Sequence, residues 1–174
     1  MKRLSAIVCI TAILGSPITA NAQTRGTPQR WQGPCSTFAY GENLTPASYL
    51  ADPAKGLRQL HHLATCVFRW RDPGADLSAV FAIVSRESGW WSWAKNPDTA
   101  GACIVWGVDY VPYGSCGLAQ HLARYWPGRV AAFLRPEWFR AWPQVSPLDP
   151  RASLIAMADM WRNQGGACPA WCLG

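Results

Sequence analysis

The stretch AIVSRESGWWSWAKNPD, residues 82–98, sets one glutamate, Glu87, between an apolar helical run and three tryptophans, with a glycine two residues after it. Upstream, Leu77, Val80, Phe81 and Val84 recur on one side of a helix, and Gly89 is placed to end it in a left-handed cap. Glu87 therefore belongs to the helix's last turn. The negative end of a macrodipole and a dry, Trp-rich surround both disfavour a charged carboxylate, so the expectation is an acid that can deliver a proton. Cleavage of a glycosidic bond needs such a group beside the leaving oxygen. The simpler alternative is a capping or salt-bridged surface glutamate with Arg86 as partner.

Outward from this stretch, the chain reads as mainly α. Three Asp-Pro pairs, Asp52-Pro53, Asp72-Pro73 and Asp149-Pro150, read as helix starts, since Asp accepts from free first-turn amides and Pro suits the first helical position. The first opens a helix with Leu57, Leu60, Leu63, Ala64, Val67 and Phe68 on its stripe, running to about Arg69. His61 and His62 on it point about 100° apart and cannot easily meet one metal, so no metal site is expected. The last opens a helix with Leu154, Ile155, Ala158 and Trp161, ending before Gly165-Gly166. A short helix from Pro127 uses Val130, Phe133 and Leu134, and residues 104–106 with 108–111 could form a small hairpin.

The ends of the chain set its compartment. Lys2 and Arg3, the apolar run Leu4 to Leu14 and the small residues Ala20-Asn21-Ala22 predict a cleaved signal peptide over 1–22. Residues 23–46 read as an extended arm and 47–174 as the folded domain. No second long apolar run follows, so a soluble secreted protein, periplasmic or extracellular, without a membrane anchor after cleavage is expected. Six cysteines then remain, an even set that favours disulfides. Cys103 with Cys116 would brace the 106–113 loop, Cys35 with Cys66 would tie the arm to the first long helix, and Cys168 with Cys172 would close a terminal loop. Other pairings stay open. Without Lys2 and Arg3, 14 basic residues face 10 acidic ones, a net charge of +4. The charges are scattered with no Lys/Arg run, which argues against a nucleic-acid groove and is compatible with attraction to an anionic cell wall. The 11 tryptophans serve either as core filling or as flat faces for sugar.

Thirty residues beyond Glu87 stands GSCGLAQHLARYW, residues 114–126. A Glu-Ser-Gly followed by Gly-Leu-x-Gln resembles the lytic transglycosylase (SLT-type) and goose-type branch of the lysozyme superfamily, over roughly residues 57–166. The resemblance implies an α+β lysozyme-like fold with several helices around a sugar cleft. It implies Glu87 as the catalytic acid, Ser88 as a polar neighbour, and Gly117, Leu118 and Gln120 on the opposite cleft wall. Asn96 matches a family tendency for Asn just past the first motif. Two departures stand out. Ala119 replaces the family's usual Met or Phe, and the late Ala-Tyr-Asn motif is not plain in Met160-Trp161-Arg162-Asn163-Gln164-Gly165. The tyrosine partner of Glu87 is thereby unassigned, with Tyr110, Tyr113 and Tyr125 as candidates.

Consecutive Trp90 and Trp91 cannot face the same way, so one packs under the helix while the other, with Trp93 or Trp106, faces the sugar. Trp90, Asn96, Trp106 and Tyr110 thus join Ser88, Gly117, Leu118 and Gln120 as candidate substrate contacts. The expected activity is cleavage of the β-1,4 bond between N-acetylmuramic acid and N-acetylglucosamine in peptidoglycan strands by a monomeric, cofactor-free lytic transglycosylase. A hydrolytic muramidase would add a second carboxylate, for which Asp109 is the candidate, Asp98 reading as a turn residue. A non-catalytic wall-binding or assembly protein with the same fold is the other alternative. A ribonuclease would want a second group beside His121, the only histidine near a motif.

Overall fold

The structure, a computed structural model, describes residues 35, 46–95, 114–139 and 145–165. Five helices carry most of it: α1 (Pro46–Ala51), α2 (Pro53–Arg71), α3 (Leu77–Ser88), α4 (Trp126–Phe133) and α5 (Pro150–Asn163). Two short strands, β1 (Ser115–Cys116) and β2 (His121–Leu122), pair antiparallel, with Ser115 opposite Leu122 and Cys116 opposite His121. The described residues are thus mainly α with a small two-stranded sheet. The hairpin expected over 104–111 lies outside the described residues, and β1 and β2 instead flank the Gly117–Gln120 turn.

Asp-Pro chemistry starts two of the long helices. Asp52 Oδ1 accepts from the Lys55 amide at 3.0 Å. Asp149 Oδ1 accepts from Arg151 N at 2.8 Å and from Ala152 N at 3.2 Å, so the first-turn amides of α2 and α5 find side-chain oxygens. The middle pair, Asp72-Pro73, behaves differently from expectation. Asp72 closes α2, its N–H donating to Phe68 O at 2.7 Å, and the N-cap of α3 is Asp76, which accepts from Ser78 N at 2.8 Å. The reason is tertiary. Trp70 and Arg71 are held in helical register by partners on other elements, so α2 continues past Arg69, and Pro73-Gly74 makes the turn.

The core centres on α5, where every residue from Ala152 to Asp159 is buried. A helix apolar around most of its circumference must be covered on most sides. The stripe Leu60, Leu63, Ala64, Val67 and Phe68 of α2 supplies one cover, with Phe68 meeting Trp161 edge-on at 6.2 Å. α3 contributes Val80, Ile83 and Val84, and α4 contributes Val130. Trp126, fully buried, spends its indole N–H on Val145 O at 2.5 Å, so the polar end of a large core side chain is satisfied.

Two joints lock the α2 flank. Arg71 at the helix end donates from Nε to both carboxylate oxygens of Asp159 at 3.0 Å, and Trp70 and Trp138 lie against its guanidinium at 4.8 and 6.0 Å. Midway along the helix, Cys66 is joined to Cys35 with an S–S distance of 2.08 Å, which ties α2 to a residue 31 positions earlier. Cys116 is also disulfide-bonded. Cys103, Cys168 and Cys172, and with them the expected Cys103–Cys116 and Cys168–Cys172 pairings, lie outside the described residues. Among the described residues no helix is long and apolar enough to cross a membrane.

Candidate functional site

The last turn of α3 presents Glu87, and Gly89 follows as a left-handed cap with φ 58°, its N–H donating to Ser85 O at 2.9 Å. Gly89 can take this conformation because it has no Cβ, and no atom lies within 4 Å of the position a Cβ would take. Trp90 then also adopts positive φ, 63°, which a bulky residue rarely does. Two left-handed residues in a row reverse the chain, so that Trp90 goes inward and Trp91 outward.

Trp90 is 5% exposed. Its ring lies 4.2 Å from His61 and 5.2 Å from Phe81, both edge-on, between α2 and α3. This corrects its expected place among the substrate contacts: with most of its surface already in the core, Trp90 is an anchor. Burial, and after it the charge of His62, pushes the His61 imidazole below its ordinary pKa, consistent with a neutral ring in an aromatic slot. Trp91 and Trp93 are half-buried, 4.9 Å apart edge-on, and Tyr49 of α1 extends the row at 5.2 Å from Trp91. No sequence signal pointed to Tyr49, because it is brought to the row by the packing of α1 against α2.

The segment after these tryptophans is bound to the second motif. Ala94 O accepts from Gly117 N at 2.9 Å and from Gln120 Nε2 at 3.4 Å, and Lys95 bridges Cys116 in antiparallel fashion. Gln120 Nε2 also donates to Gly117 O at 2.9 Å, closing its own turn with φ 46°. Ala94 and Lys95, a few residues past the first motif, thus form one hydrogen-bonded seam with the second motif. Its members are not all surface groups. Leu118 and Ala119 are fully buried, so Leu118 is a core residue and not a cleft-wall contact. Gln120 uses its side-chain amide on backbone carbonyls, which makes it a clamp of the seam. Gly117 has φ 78°, and a Cβ there would lie 2.0 Å from Pro147 O, so two backbones touch where only glycine fits.

The seam rests on α5 through Ser153, a residue sequence reasoning passed over. Its Oγ accepts from Ala119 N at 3.3 Å and its carbonyl accepts from His121 Nε2 at 2.8 Å. Arg129 Nη1 donates to His121 Nδ1 at 2.6 Å, which fixes a neutral imidazole with its proton on Nε2. Burial first, and the Arg129 charge second, push the His121 pKa down to about 3. His121 is fully buried and faces no solvent, which removes it from any surface acid–base pair. The signal that could have found Ser153 is a polar residue in the middle of an otherwise apolar helix stripe.

Glu87 itself is 24% exposed in its side chain. Oε1 accepts from Arg86 Nη2 at 2.9 Å and Nε at 3.3 Å, while Oε2 has no hydrogen-bond partner among the described residues. The surround is therefore part cation, not purely aromatic, because adjacent Arg86 folds back along the helix end. Ser88 Oγ donates to Val84 O at 3.0 Å, a bond within its own helix. Tyr125 is 51% exposed with Arg124 stacked on it at 4.7 Å, and no hydrogen bond joins it to Glu87. Asn96, Trp106, Asp109, Tyr110 and Tyr113 lie outside the described residues. Among the described residues no group of three or more His, Cys, Asp or Glu side chains is arranged to hold a metal ion. Comparison of the chain with protein families, with curated proteins and with solved structures finds no match.

Proposed function

We propose that the protein is a lysozyme-like, secreted lytic transglycosylase that cleaves the β-1,4 bond between N-acetylmuramic acid and N-acetylglucosamine in peptidoglycan, with Glu87 as its single catalytic acid. The observation that carries this reading is the seam. The 82–98 stretch carries the helix-end glutamate and the tryptophans, and its Ala94 is hydrogen-bonded to Gly117 and Gln120 of the Gly-Leu-x-Gln turn, from a separate part of the chain. Gln120, a described non-glycine residue at positive φ, belongs to this seam, and Trp90, another, lies just after the helix end that bears Glu87; strained backbone held by surrounding structure concentrates at functional sites.

In this reading Glu87 Oε2, free of protein partners among the described residues, carries the proton to the leaving glycosidic oxygen as the C–O bond breaks. The same carboxylate then accepts the proton of the muramic acid 6-hydroxyl as that oxygen closes on the anomeric carbon. The product is a 1,6-anhydro end, lighter by one water than a hydrolysis product. Arg86 on Oε1 orients the carboxyl, and Trp91, Trp93 and Tyr49 offer ring faces and edges to sugar.

The test is digestion of purified peptidoglycan by the mature protein, followed by mass spectrometry of the fragments without chemical reduction. Anhydro ends are expected, and Glu87→Gln should lower release by roughly 10²–10⁴-fold, the usual worth of a general acid. Wild-type release by a folded Glu87→Gln protein would refute the role of Glu87, and reducible ends throughout would favour the muramidase with Asp109. One observation favours the non-catalytic alternative. The Arg86–Glu87 pair is the arrangement of a plain surface ion pair. A protein that sediments with insoluble peptidoglycan and releases nothing from it is what that alternative requires.

A further inference from the structure

α2 has no acidic residue in its 19 positions, yet it carries Lys55, Arg58, Arg69 and Arg71. Arg71 is answered by Asp159; Lys55, Arg58 and Arg69 are exposed and make no ion pair among the described residues. At about 100° per residue, Lys55, Arg58, His62 and Arg69 fall within an arc of about 60°, on the side opposite the buried Leu60, Leu63 and Val67. The row spans about 21 Å of helix at 1.5 Å per residue.

This arrangement works against the helix that bears it. Lys55 stands in the first turn, where the macrodipole favours an anion, and the acid at that end, the N-cap Asp52, spends its Oδ1 on the Lys55 amide. Lys55 and Arg58 are like charges at i,i+3, the spacing at which unlike charges would help. Elsewhere Arg86, Arg151 and Arg162 each meet a carboxylate, and the exposed cations that meet none among the described residues, Lys95, Arg124 and Arg135, are scattered over other segments and do not share one helix face. An anion from outside the chain would relieve this face.

We propose that the exposed face of α2 is a docking surface for a linear polyol-phosphate polymer, phosphodiester-linked and without bases, lying along the helix. Three features select this partner. The row is one side chain wide and straight, which suits a chain more than a flat surface. The large apolar side chains most exposed among the described residues are Leu50 and Tyr125, neither of them on α2, so the face offers no wedge for an acyl layer. It also offers no exposed Trp, Tyr or Phe ring on which nucleobases could stack. The surface is separate from Glu87 and does not depend on the activity proposed for it.

The experiment measures binding of labelled poly(glycerol phosphate) to the full mature protein over a salt series. Arg58→Gln/Arg69→Gln should weaken binding at least tenfold at low salt and flatten the slope of log affinity against log salt by about one per residue removed. Arg124→Gln/Arg135→Gln removes the same charge from another part of the surface and should change affinity less than twofold. Circular dichroism on both doubles checks that they remain folded. Equal weakening in the two doubles would show mere net-charge attraction and overturn the proposal, as would a wild-type protein that does not bind the polymer. Tighter binding through the same arginines to phosphatidylglycerol vesicles, or to a single-stranded oligonucleotide, would overturn the choice of partner.

Discussion

Asp159 and Glu87 are both carboxylates near the C-terminal end of a helix, each with an arginine against it, and the two regions use the pairing differently. Asp159 is 1% exposed and takes Arg71 from α2 together with Arg162 from its own helix at 3.2 Å. Its pair joins two helices distant in sequence, under cover of Trp70 and Trp138. Glu87 is 24% exposed and, among the described residues, takes only its chain neighbour Arg86, on one oxygen. A bond between adjacent residues ties no element to another. The α2–α5 joint therefore resists opening, whereas the α3 end leaves a carboxylate oxygen without a hydrogen bond among the described residues. Satisfied polar groups hold a fold together, and unsatisfied ones remain for a ligand.

The largest effect that could break this contrast is at the joint. Asp159→Ala removes the partner of a mostly buried guanidinium and should cost about 3–5 kcal/mol in urea unfolding followed by circular dichroism. A cost under about 1 kcal/mol would put Asp159 in the same class as Glu87.

Acid should open the structure at the seam's rear support. The folded His121 pKa lies at about 3, below the 6.5 of an unfolded histidine, so the unfolded chain binds the proton more readily in between. Stability from this group is complete above about pH 6.5 and is lost as pH falls towards 3, by an amount on the order of a few kcal/mol. Urea midpoints at pH 7, 5 and 4 should fall in wild type and fall less in His121→Gln. Parallel slopes would mean that the Arg129–His121–Ser153 chain is not what acid attacks.

Two glycines sharpen the comparison at smaller scale. Gly117→Ala drives a Cβ to 2.0 Å from Pro147 O, a backbone atom that cannot swing aside, at φ 78°. Roughly 1–3 kcal/mol should be lost. Gly89→Ala meets open space and carries only the left-handed cost, about 1 kcal/mol. Thermal unfolding of the pair should rank them in that order.

The smallest change in stability is expected for Glu87→Gln, under about 1 kcal/mol, since its pair is exposed and local. Calorimetry alongside the peptidoglycan assay tests both halves: unchanged unfolding with lost release fits an acid, and lost stability with retained release fits a structural salt bridge.

Much of the helical skeleton was legible in the chain. Asp52 and Asp149 cap where Asp-Pro pairs said they would, and Gly89 ends α3 as a left-handed residue. Those signals are short-range: a side-chain oxygen reaching an amide two or three residues on, or a missing Cβ. The start of α3 was not legible, because Asp72 and Asp76 are equally good caps locally and the choice is made by Trp138 and Asp159 holding the end of α2. Chain order predicted that Trp90 and Trp91 must diverge. It could not say which goes inward, since that follows from where His61 and Phe81 stand once α2 and α3 have packed.

The sequence by itself determined that a glutamate would close the last turn of an amphipathic helix beside tryptophans, because helix period and glycine capping are properties of neighbouring residues. Only the tertiary structure decided that the segment just past this turn, Ala94 and Lys95, is bound to the Gly117–Gln120 turn. Their hydrogen bonds run to backbone atoms, Ala94 O above all, and backbone groups are the same at every position of a chain. It also turned Leu118 and Gln120 from expected sugar contacts into a core residue and a clamp. Which way a side chain faces across a turn is set by what packs behind it. Here that is Ser153 on α5, a residue more than 30 positions away in sequence.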